Sequence, residues 1–417
     1  MGVGIQKQFF RTHSHQIGAL GLTLALALAA STPAQSVPAD TGESAAGIAP
    51  LSPYRPIGRQ YALMREELAR YLSLARGDNW QPLDAGPPLA PGMRDPRVRQ
   101  LRSLLMQYGD YSLSDRTGSD SDADVYGPQL QQAVRRFQHR HGLKEDALVD
   151  KRTRARLNVD PAERARTLAA NLQRWQQIPK DLGPRYILIN IADFQLHLID
   201  NGREQYRMRV VVGKPDHMTP QLATRMTRVI FNPIWRVPRN IAVRELLPKG
   251  GASLAADGYR LVNHSGRAVP FTSRNIAATR RGSVSLQQKG GPGNALGRVK
   301  FVIPNRQAIF LHDTNSKYLF RRSERAFSHG CIRLEKPLEF ARMMLRQQNQ
   351  WSDSRIERAL ASHRTRGIAL RNPIPVYIAY WTAWVDDAGQ LQFRPDIYGR
   401  DNAESDRAGG DRGGKAE

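Results

Sequence analysis

Cysteine occurs once in the 417 residues, at Cys331. A single thiol cannot close an internal disulfide, so stability has to come from packed cores rather than covalent staples. Acidic residues are scarce beside basic ones, 38 against 62, which leaves a formal net charge of +24. Such a surplus favours polyanionic surroundings: nucleic acid, an anionic membrane or an acidic cell wall. No apolar run past the N-terminal region reaches the roughly 20 residues a membrane span needs. No Cys-x-x-Cys and no His-Glu-x-x-His is present, so the spacings typical of zinc sites are missing. The sequence suggests no metal or organic cofactor.

What is present is length and a normal apolar content, 40%, enough for two or three domains with cores of their own. Residues 1–34 read as a secretory signal. Lys7 and Arg11 open it, the apolar run Ile17–Ala30 follows, and Thr32-Pro-Ala34 offers a cleavage site before Gln35. The alternative is an uncleaved anchor helix. With the signal removed, no stable membrane span remains. Export argues against nucleic acid as a partner and places the protein in the periplasm or cell envelope. A lone thiol in an oxidising compartment is a liability unless it is buried or used, which draws attention to Cys331.

Residues 35–96 form a Pro-, Ala- and Ser-rich linker followed by a helical segment, with Tyr61, Met64, Leu68 and Tyr71 at helical spacing. Residues 97–160 alternate short amphipathic helices with loops, and 161–183 is a helical connector. From residue 184 the period changes to β alternation, at 186–191, 194–199 and 206–212, with Asn201-Gly202 as a hairpin turn. The interval 236–295 is glycine-rich with a helical pattern at 241–247, long enough to cap a site. Further strands are expected at 227–231, 300–303, 309–311, 376–385 and 391–393, and a helix at 338–345. Residues 184–350 thus form a β-rich catalytic region, 351–401 a C-terminal helix and strands completing it, and 402–417 a disordered tail. The fold class is α+β, multidomain. Asp120-x-Asp122-x-Asp124 lacks the turn glycine of a calcium loop, and Gly291-x-Gly293 sits in no βαβ unit.

The chemistry concentrates between residues 312 and 333. His312-Asp313-Thr314 follows the apolar Phe310-Leu311, and Cys331 lies in Phe327-Ser-His329-Gly330-Cys331-Ile-Arg333-Leu334. A thiol attacks acyl carbon as thiolate and needs a neighbour to take its proton. His312 and His329 both qualify, and spacing alone does not choose between them. Gly330 permits a tight turn that aims backbone N–H groups at an oxyanion, and the fork of Arg333 suits a substrate carboxylate. Two other readings exist: a buried, inert Cys331, and a zinc site of His312, His329 and Cys331.

The stretch resembles the L,D-transpeptidase signature, a histidine followed at a distance by Ser/Thr-His-Gly-Cys. Gly293-Asn-Ala-Leu-Gly-Arg298, Phe231-Asn-Pro-x-Trp235-x-Val-Pro238 and Phe393-Arg-Pro-Asp-Ile-Tyr-Gly399 are similar to that family too, to its large periplasmic branch. Arg333 departs from the asparagine of many members. Tyr126-Gly127, Ala133-Val-Arg-Arg-Phe-Gln138 and His141-Gly-Leu143 resemble the three-helix peptidoglycan-binding domain, with Asp146-Ala147 in place of its usual Asp-Gly. The resemblance implies that Cys331 is the nucleophile and His312 the base, oriented by a backbone carbonyl near Asp313. It implies that His329, Gly330, Arg333 and Asp313 shape the substrate and oxyanion pocket. Peptidoglycan stem peptides would be donor and acceptor, with 236–295 a lid and cell-wall synthases as possible partners. Water as acceptor would make a carboxypeptidase, a lipoprotein lysine an anchoring enzyme, and an inert site a wall-binding scaffold.

Overall fold

The structure, a computed structural model, describes residues 56–112, 123–179, 181–346, 348 and 350–401. The signal reading, most of the linker, most of the acidic loop and the tail lie outside the described residues. No described helix is long and apolar enough to cross a membrane.

Five helices come first: α1 (Pro56–Arg76), α2 (Arg97–Gln107), α3 (Pro128–Arg140), α4 (Lys151–Leu157) and α5 (Pro161–Gln176). Each starts or faces inward for a visible reason. Asp150 caps α4 by accepting from the Arg152 and Thr153 amides, and Asp160 caps α5 through Ala162. Helical spacing turns Met64 and Tyr71 of α1, Leu101 and Leu104 of α2, and Phe137 of α3 into one core. Gln138 is buried there because it is saturated. It donates to Asp146 and to the Leu148 carbonyl, and accepts from the Ala147 amide. Ala147 itself has φ +61°, the left-handed region that explains why glycine is the usual residue at this turn.

The β region follows with β1 (Arg185–Asn190), β2 (Gln195–Asp200), β3 (Arg203–Gly213) and β4 (Leu222–Phe231). After β4 the chain leaves for an insertion: β5 (Trp235–Arg236), α6 (Arg239–Ile241) running into a wider turn over Ala242–Leu246, α7 (Gly251–Ala256), β6 (Tyr259–Asn263), β7 (Ala268–Val269), α8 (Ser273–Arg281) and β8 (Val284–Gln288). It returns as β9 (Val299–Val302), β10 (Leu311–His312), β11 (Ala326–Ser328), β12 (Ile332–Leu334), α9 (Pro337–Leu345), α10 (Asp353–Ala361), β13 (Arg366–Ala379), β14 (Ala383–Val385) and β15 (Leu391–Phe393). The main sheet runs β11-β3-β12-β10-β9-β4-β13-β1-β2, and β2 also pairs with β3. That last pairing closes β3-β12-β10-β9-β4-β13-β1-β2 into a ring, with β11 attached to β3 outside it. Alternate residues such as Ile189, Leu196, Val210, Phe301, Leu311 and Ile332 fill one core with Phe340 of α9 and Leu360 of α10.

Three elements differ from the sequence reading. The insertion is not mainly loop: β5, β6, β7 and β8 form a sheet of their own over a small core with Ile241, Leu254, Leu261 and Leu286. β13 runs as strand through Pro373 and Pro375 although prolines argue against one; a bulge between Ala369 and Ile374 accommodates Pro373. The expected strand 376–385 is broken at Tyr380–Thr382, and the hairpin β14–β15 leaves the barrel altogether. Trp381, Val385, Leu391 and Phe393 pack into the helical core instead. Trp381 stacks on Trp175 of α5 at 4.5 Å between ring centroids. The Thr382 amide donates to Asn171, and Arg174 pairs with Asp401 at 2.8 Å.

Trp381→Ala should therefore cost about 3–5 kcal/mol of stability. Hydrogen exchange should accelerate in α1 and α5 while β9 keeps its protection. Faster exchange in β9 with α5 unchanged would contradict the assignment of the hairpin to the helical core.

Candidate active site

The site begins with the pairing of two short strands. β10 and β12 are parallel, with Leu311 opposite Ile332 and His312 opposite Arg333; the Ile332 amide donates to the Phe310 carbonyl at 3.1 Å. Because side chains alternate along a strand, Leu311 and Ile332 face the core together. Phe310, His312, Cys331 and Arg333 then share the opposite face. On the other flank β9 places Lys300 across from His312, with its ammonium 3.6 Å from the centre of the Phe310 ring.

His312 is 5% exposed, and its Nδ1 lies within hydrogen-bonding reach of the Asp313 carbonyl. A carbonyl only accepts, so Nδ1 carries the proton and Nε2 is left as the acceptor. Burial, with Arg333 and the nearby Lys300 and Lys317 adding to it, pushes the imidazole down to about 3. Cys331 is partly exposed. Burial pushes its thiol up, against the pull of the Phe310 amide, Lys300 and Arg333. The resting pair at neutral pH is a thiol and a neutral imidazole, so a proton must move as the sulfur attacks.

The Asp313 carboxylate does not face this space. It accepts from the Arg298 amide at 2.8 Å, the Thr314 amide at 2.7 Å and Lys317 at 2.6 Å. Gly297 is required beside it: φ is +60° and a Cβ would sit 2.3 Å from the carboxyl carbon. Asp313 thus holds the loop that presents His312. Gly330 has φ +108° and turns the chain into Cys331. Its amide donates to Ser328 Oγ at 3.1 Å, and its carbonyl accepts from Thr219 at 2.8 Å. The Gly330 amide is engaged within the turn, so the glycine contributes shape. Ser328 Oγ donates in turn to the Cys331 carbonyl. The Tyr398 hydroxyl donates to Gly213 at 2.8 Å and accepts from the Thr219 amide, fastening the C-terminal motif beneath the turn. Arg333 keeps a buried Nε without a partner among the described residues.

His329 points elsewhere. Its Nε2 bonds Glu245 of the insertion at 2.7 Å, and its ring abuts His217 at 5.0 Å. No group of three described His, Cys, Asp or Glu side chains has the arrangement of a metal site. A cavity of about 730 Å³ between the insertion and the start of β13, lined among others by Arg260, Lys289 and Arg364, includes none of these residues. Sequence reasoning missed Lys300, Thr219, His217 and Glu245. Pairing β9 with β10 as neighbours would have exposed Lys300, whereas nothing in the sequence signals a contact 84 residues apart.

Residues 184–370 match the family model of the L,D-transpeptidase catalytic domain, and residues 94–157 that described as "Putative peptidoglycan binding domain". The chain therefore carries an L,D-transpeptidase catalytic domain with a peptidoglycan-binding-type domain N-terminal to it. A curated protein of Haemophilus influenzae named "Putative L,D-transpeptidase" is 32% identical over 237 residues, 56% of this chain and 48% of the relative. The match thus spans about half the length of that relative. Solved L,D-transpeptidases from Xylanimonas cellulosilytica and Stackebrandtia nassauensis are similar at 16% and 11% identity. They cover 71% and 72% of this chain and 98% and 96% of their own, with TM-scores of 0.21 and 0.25.

Lys300→Met should remove one of the two cations beside the sulfur. The midpoint of the pH profile for Cys331 alkylation should then move up by about one pH unit. An unmoved or lowered midpoint would show that Lys300 does not act on the thiolate.

Proposed function

We propose that this protein is a cysteine-dependent L,D-transpeptidase of the cell envelope that forms 3→3 peptidoglycan cross-links. Cys331 is the nucleophile and His312 the general base. The donor is a tetrapeptide stem: the thiol attacks the carbonyl of its third residue, Nε2 of His312 takes the thiol proton, and terminal D-alanine leaves with it. The resulting thioester is resolved by an amine of a second stem. Arg333, with its unpartnered buried Nε, grips a donor carboxylate; Asp313 orients His312 through its carbonyl. The helical domain docks the enzyme on the wall, with the chain's positive charge adding attraction to its carboxylates. The insertion acts as a lid, limiting water at the thioester. Export by residues 1–34 would deliver the enzyme to the periplasm.

The observation that carries this reading is the shared face of β10 and β12, with His312 Nδ1 committed to the Asp313 carbonyl. Water or a lipoprotein lysine as acceptor would redirect the same acyl-enzyme toward hydrolysis or anchoring; a wall-binding scaffold would form no acyl-enzyme.

A carbapenem is a strained amide that acylates a reactive thiol without releasing a leaving group. Intact-mass spectrometry of the protein should register one added inhibitor mass, and Cys331→Ala none. His312→Ala should slow acylation by about 10²-fold or more, the usual weight of general-base catalysis. A folded wild-type protein that stays unmodified would sink the reading of Cys331 as nucleophile.

A further inference from the structure

We infer that Glu245 of the insertion, paired with His329, is the binding and proton-accepting site for the ammonium group of the acyl acceptor. The inference rests on the transpeptidase reading above and adds to it the residues that choose an amine over water.

The electrostatics around Cys331 pose a problem for an amine. Lys300 and Arg333 flank the sulfur, and Lys300, whose pKa burial lowers, also feels the charge of Arg236 of β5. That setting suits a carboxylate-bearing donor and repels an incoming ammonium. The carboxylate beside His312, Asp313, is saturated by two amides and Lys317, and Glu335, four residues past the nucleophile, pairs with Arg209. Glu245 differs. It reaches the Ser-His-Gly-Cys loop from outside the barrel, its Oε1 bonds His329 two residues before the nucleophile, and its side chain is 49% exposed. Its second oxygen has no partner among the described residues. The His329 ring abuts that of His217, whose Nδ1 is buried and unpartnered. A carboxylate open to solvent, joined to an imidazole two residues from the nucleophile, can hold an ammonium and take a proton from it.

The acceptor arrives as R–NH₃⁺ on the free oxygen of Glu245 and becomes R–NH₂ by passing one proton to that carboxylate, whose other oxygen accepts from Nε2–H of His329. The amine nitrogen attacks the thioester carbonyl; a C–N bond forms and the C–S bond breaks. The second amine proton goes to the departing sulfur, regenerating the Cys331 thiol, and Glu245 returns its proton to water. A neutral nucleophile needs no carboxylate to be held, so the site separates charged from uncharged acceptors.

The test reads product ratios from acyl-enzyme already formed on a tetrapeptide donor ending in D-alanine, so the rate of the first step drops out. The acceptors are Nα-acetyl-lysine amide, which is cationic, and hydroxylamine, which is neutral at the assay pH. Glu245→Gln should lower the amide-to-acid ratio with the lysine acceptor about tenfold, the weight of one hydrogen bond to a charged group, while the hydroxamate-to-acid ratio moves less than about twofold. Glu245→Asp should restore part of the loss. An unchanged lysine ratio, or an equal fall for both acceptors, would overturn the inference, the second outcome marking Glu245 as a strut of the lid. A wild-type protein that forms no acyl-enzyme defeats the transpeptidase reading and this one with it. One that forms acyl-enzyme but yields only acid with amines defeats this inference alone.

Discussion

Two strands of two and three residues, β10 and β12, set the geometry of the whole site. Strands so short cannot hold a register by their own hydrogen bonds, so the surroundings must. The register is fixed from both sides, by β9 against β10 and by β3 against β12. It is fixed from beneath by Leu311 and Ile332 in the barrel core. A slip of one residue would send His312 and Cys331 inward and Leu311 and Ile332 to the surface. The closed sheet makes that slip expensive, because β10 and β12 each already have a neighbour on both sides.

Around this pairing the buried polar groups form fasteners rather than ligand sites. Asp313 ties the loop before β9 to the turn after β10, and Thr219 with Tyr398 ties the cysteine turn to the chain's C-terminal motif. Each uses its hydrogen-bonding capacity fully, as burial demands. Arg333 Nε and His217 Nδ1 are among the buried groups left without a partner in the described residues.

The C-terminal hairpin gives the molecule its continuity. β13 belongs to the barrel and β14–β15 to the helical core, with three residues between them. The helical domain is therefore completed by a segment more than two hundred residues away from its own helices. Arg394 reinforces the join, bonding Asp193 of the β1–β2 turn and the Arg140 carbonyl at the end of α3. A helical domain fixed this way would transmit its orientation to the barrel rather than swing on a linker.

Local signals were legible in the sequence: helical spacing in α1 to α5, alternation in β1 to β3, the Asn201-Gly202 turn and the Ser-His-Gly-Cys turn. Each depends on interactions within a few residues, and these propensities and periods are written locally. The candidate residues Cys331, His312 and Arg333 were legible too, because they fall in two short motifs that happen to lie close together in the chain. The sheet of the insertion was not, since its strands are short and interleaved with glycine turns. Nor was the hairpin's departure to the helical core, since Trp381 and Phe393 are apolar residues that either core would bury. The choice between His312 and His329 also lay beyond spacing. The family resemblance already pointed to the Asp313 carbonyl for one ring; only folding brought Glu245 to the other, because a hydrogen-bond partner 84 residues distant is assigned by where the chain returns in space, and composition carries no record of that.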